Sequence, residues 1–216
     1  MSPAEQKASE INKRLGKKYP EIKGAFLEHT NALEILIATI LSAQCTDKRV
    51  NIVTKELFKK YKKLEDYVSV SLDELRKDIK SISYPNSKAK NIRKACRMII
   101  KEFNGKVPKT MEELITLPGV GRKTANIVLH EAYGKISGIA CDTHVCRCSY
   151  RLGLTEHKDP KKIEQDLINL LPRKEWRSFS VRLIQHGRDT CNARKPKCST
   201  CLLKDICPRK GVIKSV

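Results

Sequence analysis

The sequence predicts an all-α protein. Apolar residues recur at three- and four-residue intervals along most of the chain, cap residues stand where those runs begin, and strand-like alternation is nearly absent. In chain order, residues 33–41 are apolar on more than one side and read as a buried helix. Val50, Val53 and Leu57 continue a one-face pattern after Asp47. Ser71 followed by Glu74, and Thr110 followed by Glu113, have the form of capping boxes. From Ser87 to Phe103 the apolar positions are Ile92, Ala95, Cys96, Ile99, Ile100 and Phe103, one face of a helix. Arg122 to Tyr133 repeats this with Ala125, Val128, Leu129 and Ala132. Asp159-Pro160 supplies a cap and a first-turn proline for a helix carrying Ile163, Leu167, Leu170 and Leu171. The pattern amounts to about ten helices.

Composition narrows the partners. The chain has 216 residues, 40% of them hydrophobic, enough for a genuine core in one domain or two small lobes. Lys and Arg number 44 against 24 Asp and Glu, a formal net charge of +20. That excess favours a polyanion such as DNA or RNA, although a solvated basic surface accounts for charge alone equally well. Residues 1–20 hold no continuous apolar run, and the greasiest stretch, Ile35 to Ala43, falls short of the roughly 18 apolar residues of a membrane span. The expectation is a soluble, cytoplasmic protein with no membrane partner. Nine cysteines without an export signal read as thiols or metal ligands.

Four of those cysteines stand together. Cys191, Cys198, Cys201 and Cys207 are spaced C-x6-C-x2-C-x5-C, close enough for four thiolates to surround one metal centre. Zinc sites usually show two short C-x2-C knuckles and here there is one, so the spacing favours an iron–sulfur cluster over zinc without excluding the latter. Cys45, Cys96, Cys141, Cys146 and Cys148 read as small core residues. The arm between Cys191 and Cys198 carries Arg194, Lys195 and Lys197, which fixed ligands would preorganise for phosphate. Without a metal beside it the same arm is an ordinary basic loop.

The run Leu117-Pro118-Gly119-Val120-Gly121-Arg122-Lys123-Thr124-Ala125 lies between two helical segments. Pro118 is expected to stop the first helix, and Gly119 and Gly121 to permit a tight turn that a ligand can approach. The next helix opens with free N–H groups and a positive dipole end, an anion site. Two flanking helices and the basic pair make this a helix-hairpin-helix, which holds DNA phosphate without reading sequence.

With LPGVGRKTANIVL, DTHVCR from Asp142, the four spaced cysteines, LSAQCTD at Leu41 to Asp47 and NSKAKNI at Asn86 to Ile92, the chain resembles the endonuclease III family over nearly its whole length. The resemblance implies a two-lobed fold: a six-helix barrel with the hairpin over residues 25–135, and a helical lobe from 1–24 and 136–216. The second lobe would carry a [4Fe–4S] cluster on residues 187–210, held by the four cysteines. It implies a monomeric, nucleoid-associated base-excision-repair enzyme that binds damaged or abasic double-stranded DNA in the cleft between its lobes.

The resemblance also implies chemistry. Lys123 would attack the sugar C1′ of a flipped-out nucleotide and displace the base, an oxidised pyrimidine. The Schiff base then acidifies the C2′ hydrogen, β-elimination cuts the strand 3′ to the site, and water frees the enzyme. An ordinary lysine, with pKa about 10.4, is neutral in about one molecule in 2,500 at pH 7, so Lys123 needs activation; its place in a first helical turn beside Arg122 supplies some. Asp142 would be the catalytic carboxylate, and is also a natural helix N-cap. Gln44 would enter the gap left by the flipped base, Tyr84 would be a second wedge, and His144 would touch a phosphate. Gly119, Val120 and Gly121 would grip the backbone. The chain departs from the family at Ser83-Tyr84-Pro85, where a glycine, a bulky apolar residue and a tyrosine are usual; a core tyrosine reads almost as well there. Two rivals stay open: a mismatch-specific glycosylase of the same superfamily, which usually lacks the lysine, and a non-catalytic iron–sulfur DNA-binding protein.

Overall fold

A computed structural model describes residues 1–20 and 26–216. Among the described residues there are eleven α-helices, one 3-10 helix and no strand, so the all-α expectation holds. The chain forms two compact units, Met1–Ile22 with Gly138–Val216, and Lys23–Ser137. The expected boundary between Gly24 and Ala25 lies outside the described residues.

The first unit contains α1 (Pro3–Lys18), α9 (Thr143–Arg151), α10 (Pro160–Leu170), a 3-10 turn (Arg173–Glu175) and α11 (Trp176–Asp189). Ser2 and Glu5 form a reciprocal capping box at the start of α1. Asp159 caps α10 by accepting from the Lys161 and Lys162 N–H groups, with Pro160 in the first turn as anticipated. Helices α1, α9, α10 and α11 enclose Ile11, Leu15, Val145, Leu167, Phe179 and Leu183, all essentially without exposure. Burying each such side chain stabilises by about 1.5–3 kcal/mol. Asn12 joins α1 to the others through polar bonds, donating to Glu175 at 2.7 Å and accepting from Arg182 at 2.8 Å. Beyond α11 the chain runs as turns packed around the buried Leu203.

The second unit contains α2 (Ala32–Ser42), α3 (Asp47–Lys60), α4 (Leu64–Ser69), α5 (Leu72–Asp78), α6 (Pro85–Glu102), α7 (Met111–Leu114) and α8 (Arg122–Tyr133). Every residue from Ile35 to Leu41 is buried, and α2 packs against α8, α3 and α6 at the unit's centre. Thr39 survives in that apolar run because its hydroxyl donates to the Ile35 carbonyl at 2.7 Å. Ser71 and Thr110 cap α5 and α7 through the Glu74 and Glu113 N–H groups. Helix α6 starts ahead of its apolar stripe because Pro85 suits the first helical position. One expectation needs correction. Helix α7 ends at Leu114, ahead of Pro118, because Thr116 and Leu117 already bond back to Glu113 and Leu114 in tight turns. Among the described residues no helix is long and apolar enough to cross a membrane.

Candidate active site and metal centre

The glycine hairpin is built by turn chemistry. Val120 N–H donates to the Leu117 carbonyl at 3.0 Å, with Pro118 second and Gly119 third in the turn. Gly119 has φ +82°, the left-handed angle that the third position of a type II turn demands. An added Cβ there would also crowd the Asn91 side chain of α6 at 3.1 Å. Gly121 differs. Its φ is −96° and a Cβ would meet nothing within 4 Å, so the fold does not require glycine; the missing side chain leaves the backbone open to an approaching group. Gly121 caps α8 with no side-chain bond, so the helix's first N–H groups have no side-chain acceptor. Lys123 follows in the first turn of α8. Its side chain is exposed and, among the described residues, forms no hydrogen bond or ion pair.

Two further residues singled out in the sequence occupy strained corners of the same unit. Gln44, after α2, has φ 54°, and Tyr84, before α6, has φ 57°. Non-glycine residues adopt such angles rarely. Both are exposed, Tyr84 to 63%, which removes the reading of Tyr84 as a core residue.

Asp142 belongs to the other unit, at the start of α9. Its Oδ1 accepts from the His144 and Val145 N–H groups, each at 2.8 Å, so it is the helix cap anticipated above. His144 is half-buried, its Nδ1 3.1 Å from an Arg147 Nη. The backbone of Gly187 lies against it; a Cβ on Gly187 would come within 2.9 Å of the His144 ring.

At the other end of α9 the chain meets the cysteine segment. Cys191, Cys198, Cys201 and Cys207 line one pocket, with Leu152 and His186 among its walls. Among the described residues no three His, Cys, Asp or Glu side chains close around a single ion. Burial, and then the neighbouring sulfurs, push the Cys201 and Cys207 thiols up. Cys191 is drawn down to about 6, chiefly by a hydrogen bond with Cys148 and then by Arg151. Arg194, Lys195 and Lys197 are exposed along the segment.

These elements match known proteins. A family model described as HhH-GPD superfamily base excision DNA repair protein matches residues 37–173. The chain belongs to that superfamily. Within it, endonuclease III of Synechocystis sp. is 49% identical over 208 residues, 96% of this chain and 94% of the relative. Endonuclease III of Bacillus subtilis is 46% identical over 208 residues, 93% and 94% of the two chains. A solved trapped endonuclease III–DNA covalent intermediate superposes with a TM-score of 0.91 at 44% identity, covering 97% of each chain. A thermostable thymine-DNA glycosylase gives 0.82 at 25% identity, covering 94% and 96%. This HhH-GPD protein is thus a base-excision-repair enzyme of the DNA glycosylase and AP lyase class.

Sequence reasoning missed three contributors. Arg147 and Arg151, one turn apart on α9, both grip the backbone of the cysteine segment. Cys148, read as plain core, is buried and acts on the Cys191 thiol, helping to draw its pKa down. Arginines four apart on a helix are detectable, but their target 40 residues away is not. Lys88, inside NSKAKNI, is also buried, which no lysine announces from sequence.

Proposed function

We propose that the chain binds damaged double-stranded DNA as a nucleoid-associated monomer, excises oxidised pyrimidines, and cuts 3′ to the abasic site through a Schiff base on Lys123. The exposed, unpaired lysine directly behind the Gly119–Gly121 hairpin carries this reading. The hairpin N–H groups and the start of α8 would hold a phosphate, bringing the deoxyribose to that amine. Neutral Nζ forms a bond to C1′ as the C1′–base bond breaks, and the base leaves with the electron pair and a proton. Asp142 balances the positive charge on the sugar and accepts protons in turn. The C1′–O4′ bond then breaks, O4′ takes a proton and the C1′=Nζ Schiff base forms; loss of the C2′ proton expels the 3′ phosphate, and water adds to C1′ and releases the lysine. Gln44 and Tyr84 would fill the space of the displaced nucleotide, and His144 would reach a phosphate.

The cysteine pocket fits a [4Fe–4S] cluster held by Cys191, Cys198, Cys201 and Cys207. Bound there, the cluster would cross-link four points of the segment without taking part in bond cleavage. Arg194, Lys195 and Lys197 would then meet the DNA backbone from a fixed loop. On this reading residues 25–135 form the hairpin lobe, and residues 1–24 with 136–216 the cluster lobe.

Borohydride added to enzyme and abasic duplex should yield a covalent complex on a denaturing gel, and Lys123→Ala should abolish it. Undiminished trapping by that variant would place the nucleophile elsewhere.

A further inference from the structure

The turn after α2 has a conformation its own residues do not explain. Cys45 N–H donates to the Ser42 carbonyl at 3.0 Å. Between them Ala43 has φ −56° and ψ 116°, and Gln44 has φ 54°. These are type II angles, like those of the Gly119 turn, but the third residue here is glutamine. A left-handed L-residue costs roughly 1–2 kcal/mol. The type I alternative keeps φ negative at both central residues and turns the Ala43–Gln44 peptide over. Nothing in Ser42-Ala43-Gln44-Cys45 prefers the costlier form.

Lys88 supplies the reason. It is 5% exposed, and its ammonium donates to the Leu41 carbonyl at 2.8 Å and the Ala43 carbonyl at 2.5 Å. The Ala43 carbonyl belongs to the peptide that reverses between the two turn types, so the bond exists only in type II. A bond from a cation is about twice as strong as a neutral one, more so out of water. Leu41 offers one of the orphan carbonyls at the end of α2, placing the cation at the negative end of that helix. Burial lowers the pKa of Lys88, the cost of holding a cation away from water. The Lys88 N–H in turn donates to the Tyr84 carbonyl at 3.1 Å, in the first turn of α6. One residue is thereby bonded to both left-handed corners.

We propose that Lys88 is a positioning residue for lesion recognition, whose ammonium holds the Ser42–Cys45 turn in its type II form so that Gln44 is presented for insertion into DNA. This rests on the reading of Gln44 and Tyr84 as residues that enter the duplex. Lys88 touches no substrate itself. The energy of its two carbonyl bonds offsets the strain at Gln44, leaving the side chain preorganised before DNA arrives.

The test is Lys88→Met, which removes charge and donors at similar length. The probe is a duplex with a tetrahydrofuran abasic analogue opposite 2-aminopurine, which brightens when unstacked. Wild-type enzyme should raise its fluorescence; Lys88→Met should largely lose the rise and slow single-turnover excision by about tenfold to a hundredfold. Affinity for undamaged duplex should be unchanged. Circular dichroism and thermal melting establish that the variant is folded at the assay temperature; should it not be, Lys88→Gln is read in its place. A folded variant with full fluorescence rise and wild-type excision overturns the proposal, even if its melting temperature is lower. Gln44→Ala and Tyr84→Ala run alongside. If both keep the full rise, the wedge reading fails and the proposal with it; if either loses the rise and Lys88→Met does not, only the role of Lys88 fails.

Discussion

The Arg151 guanidinium lies 3.4 Å from the Cys191 sulfur and donates at 2.7 Å to the carbonyls of both Asn192 and Ala193. Arg151 is 7% exposed, so these bonds form out of water. One turn earlier, Arg147 donates to the Cys191 and Gly187 carbonyls. Helix α9 thus carries Asp142 at its first end and clamps the cysteine segment near its last.

Replacing Arg151 with Met should therefore damage the segment more than its exposure to solvent would suggest. The carbonyls of Asn192 and Ala193 lose their donors, at a cost of about 1–3 kcal/mol. Thermal melting should fall accordingly, and the iron-to-protein ratio after purification should drop. Full iron content in the variant would show that the arginine only packs.

Asp142 has two duties that substitutions separate. Asparagine caps a helix about as well as aspartate, so Asp142→Asn should melt close to wild type while losing most glycosylase and lyase turnover. Asp142→Ala should lose both activity and roughly 1 kcal/mol of stability. An active Asn variant would reduce Asp142 to a cap.

The two hairpin glycines should respond oppositely. Gly119→Ala meets positive φ and Asn91, and should destabilise by about 1–2 kcal/mol or more in chemical denaturation. Gly121→Ala meets open space and should leave stability within about 0.5 kcal/mol. Its effect should show in weaker binding to abasic duplex, because the new methyl stands where the phosphate backbone would come. Equal stability losses in the two variants would contradict this division.

Charge should govern DNA affinity. With a formal charge of +20, binding should weaken about a thousandfold or more between 50 and 200 mM salt if roughly six to ten phosphates are contacted. Neutralising Arg194, Lys195 and Lys197 together should lower the slope of log affinity against log salt by up to about three. An unchanged slope would remove that loop from the interface.

Much of this molecule was legible in the amino-acid sequence. Buried α2 announced itself by apolar residues on every side, α6 and α8 by one-face stripes, and α10 by Asp159-Pro160, because caps and periodicity act within a few residues of one another. The same locality made α7 misleading: Pro118 is a conspicuous stop signal, yet turns at Glu113 and Leu114 end the helix first. Lys123 could be singled out because the hairpin motif is contiguous. Tyr84 could not be assigned to core or surface, since exposure depends on what packs around it.

From sequence alone came the helical class, the hairpin with its lysine, the cysteine quartet and the expectation of a nucleic-acid partner, all properties of neighbouring residues or of summed charge. Tertiary structure alone decided that Lys88 is buried against the end of α2, that two arginines of α9 hold a segment some 40 residues away, and that Gln44 stands in a left-handed turn. Each of these depends on hydrogen bonds between groups distant in the chain, whose strength comes from the exclusion of water on folding. No local pattern encodes that exclusion, because a lysine or arginine has the same side chain whether it ends in solvent or against a buried carbonyl.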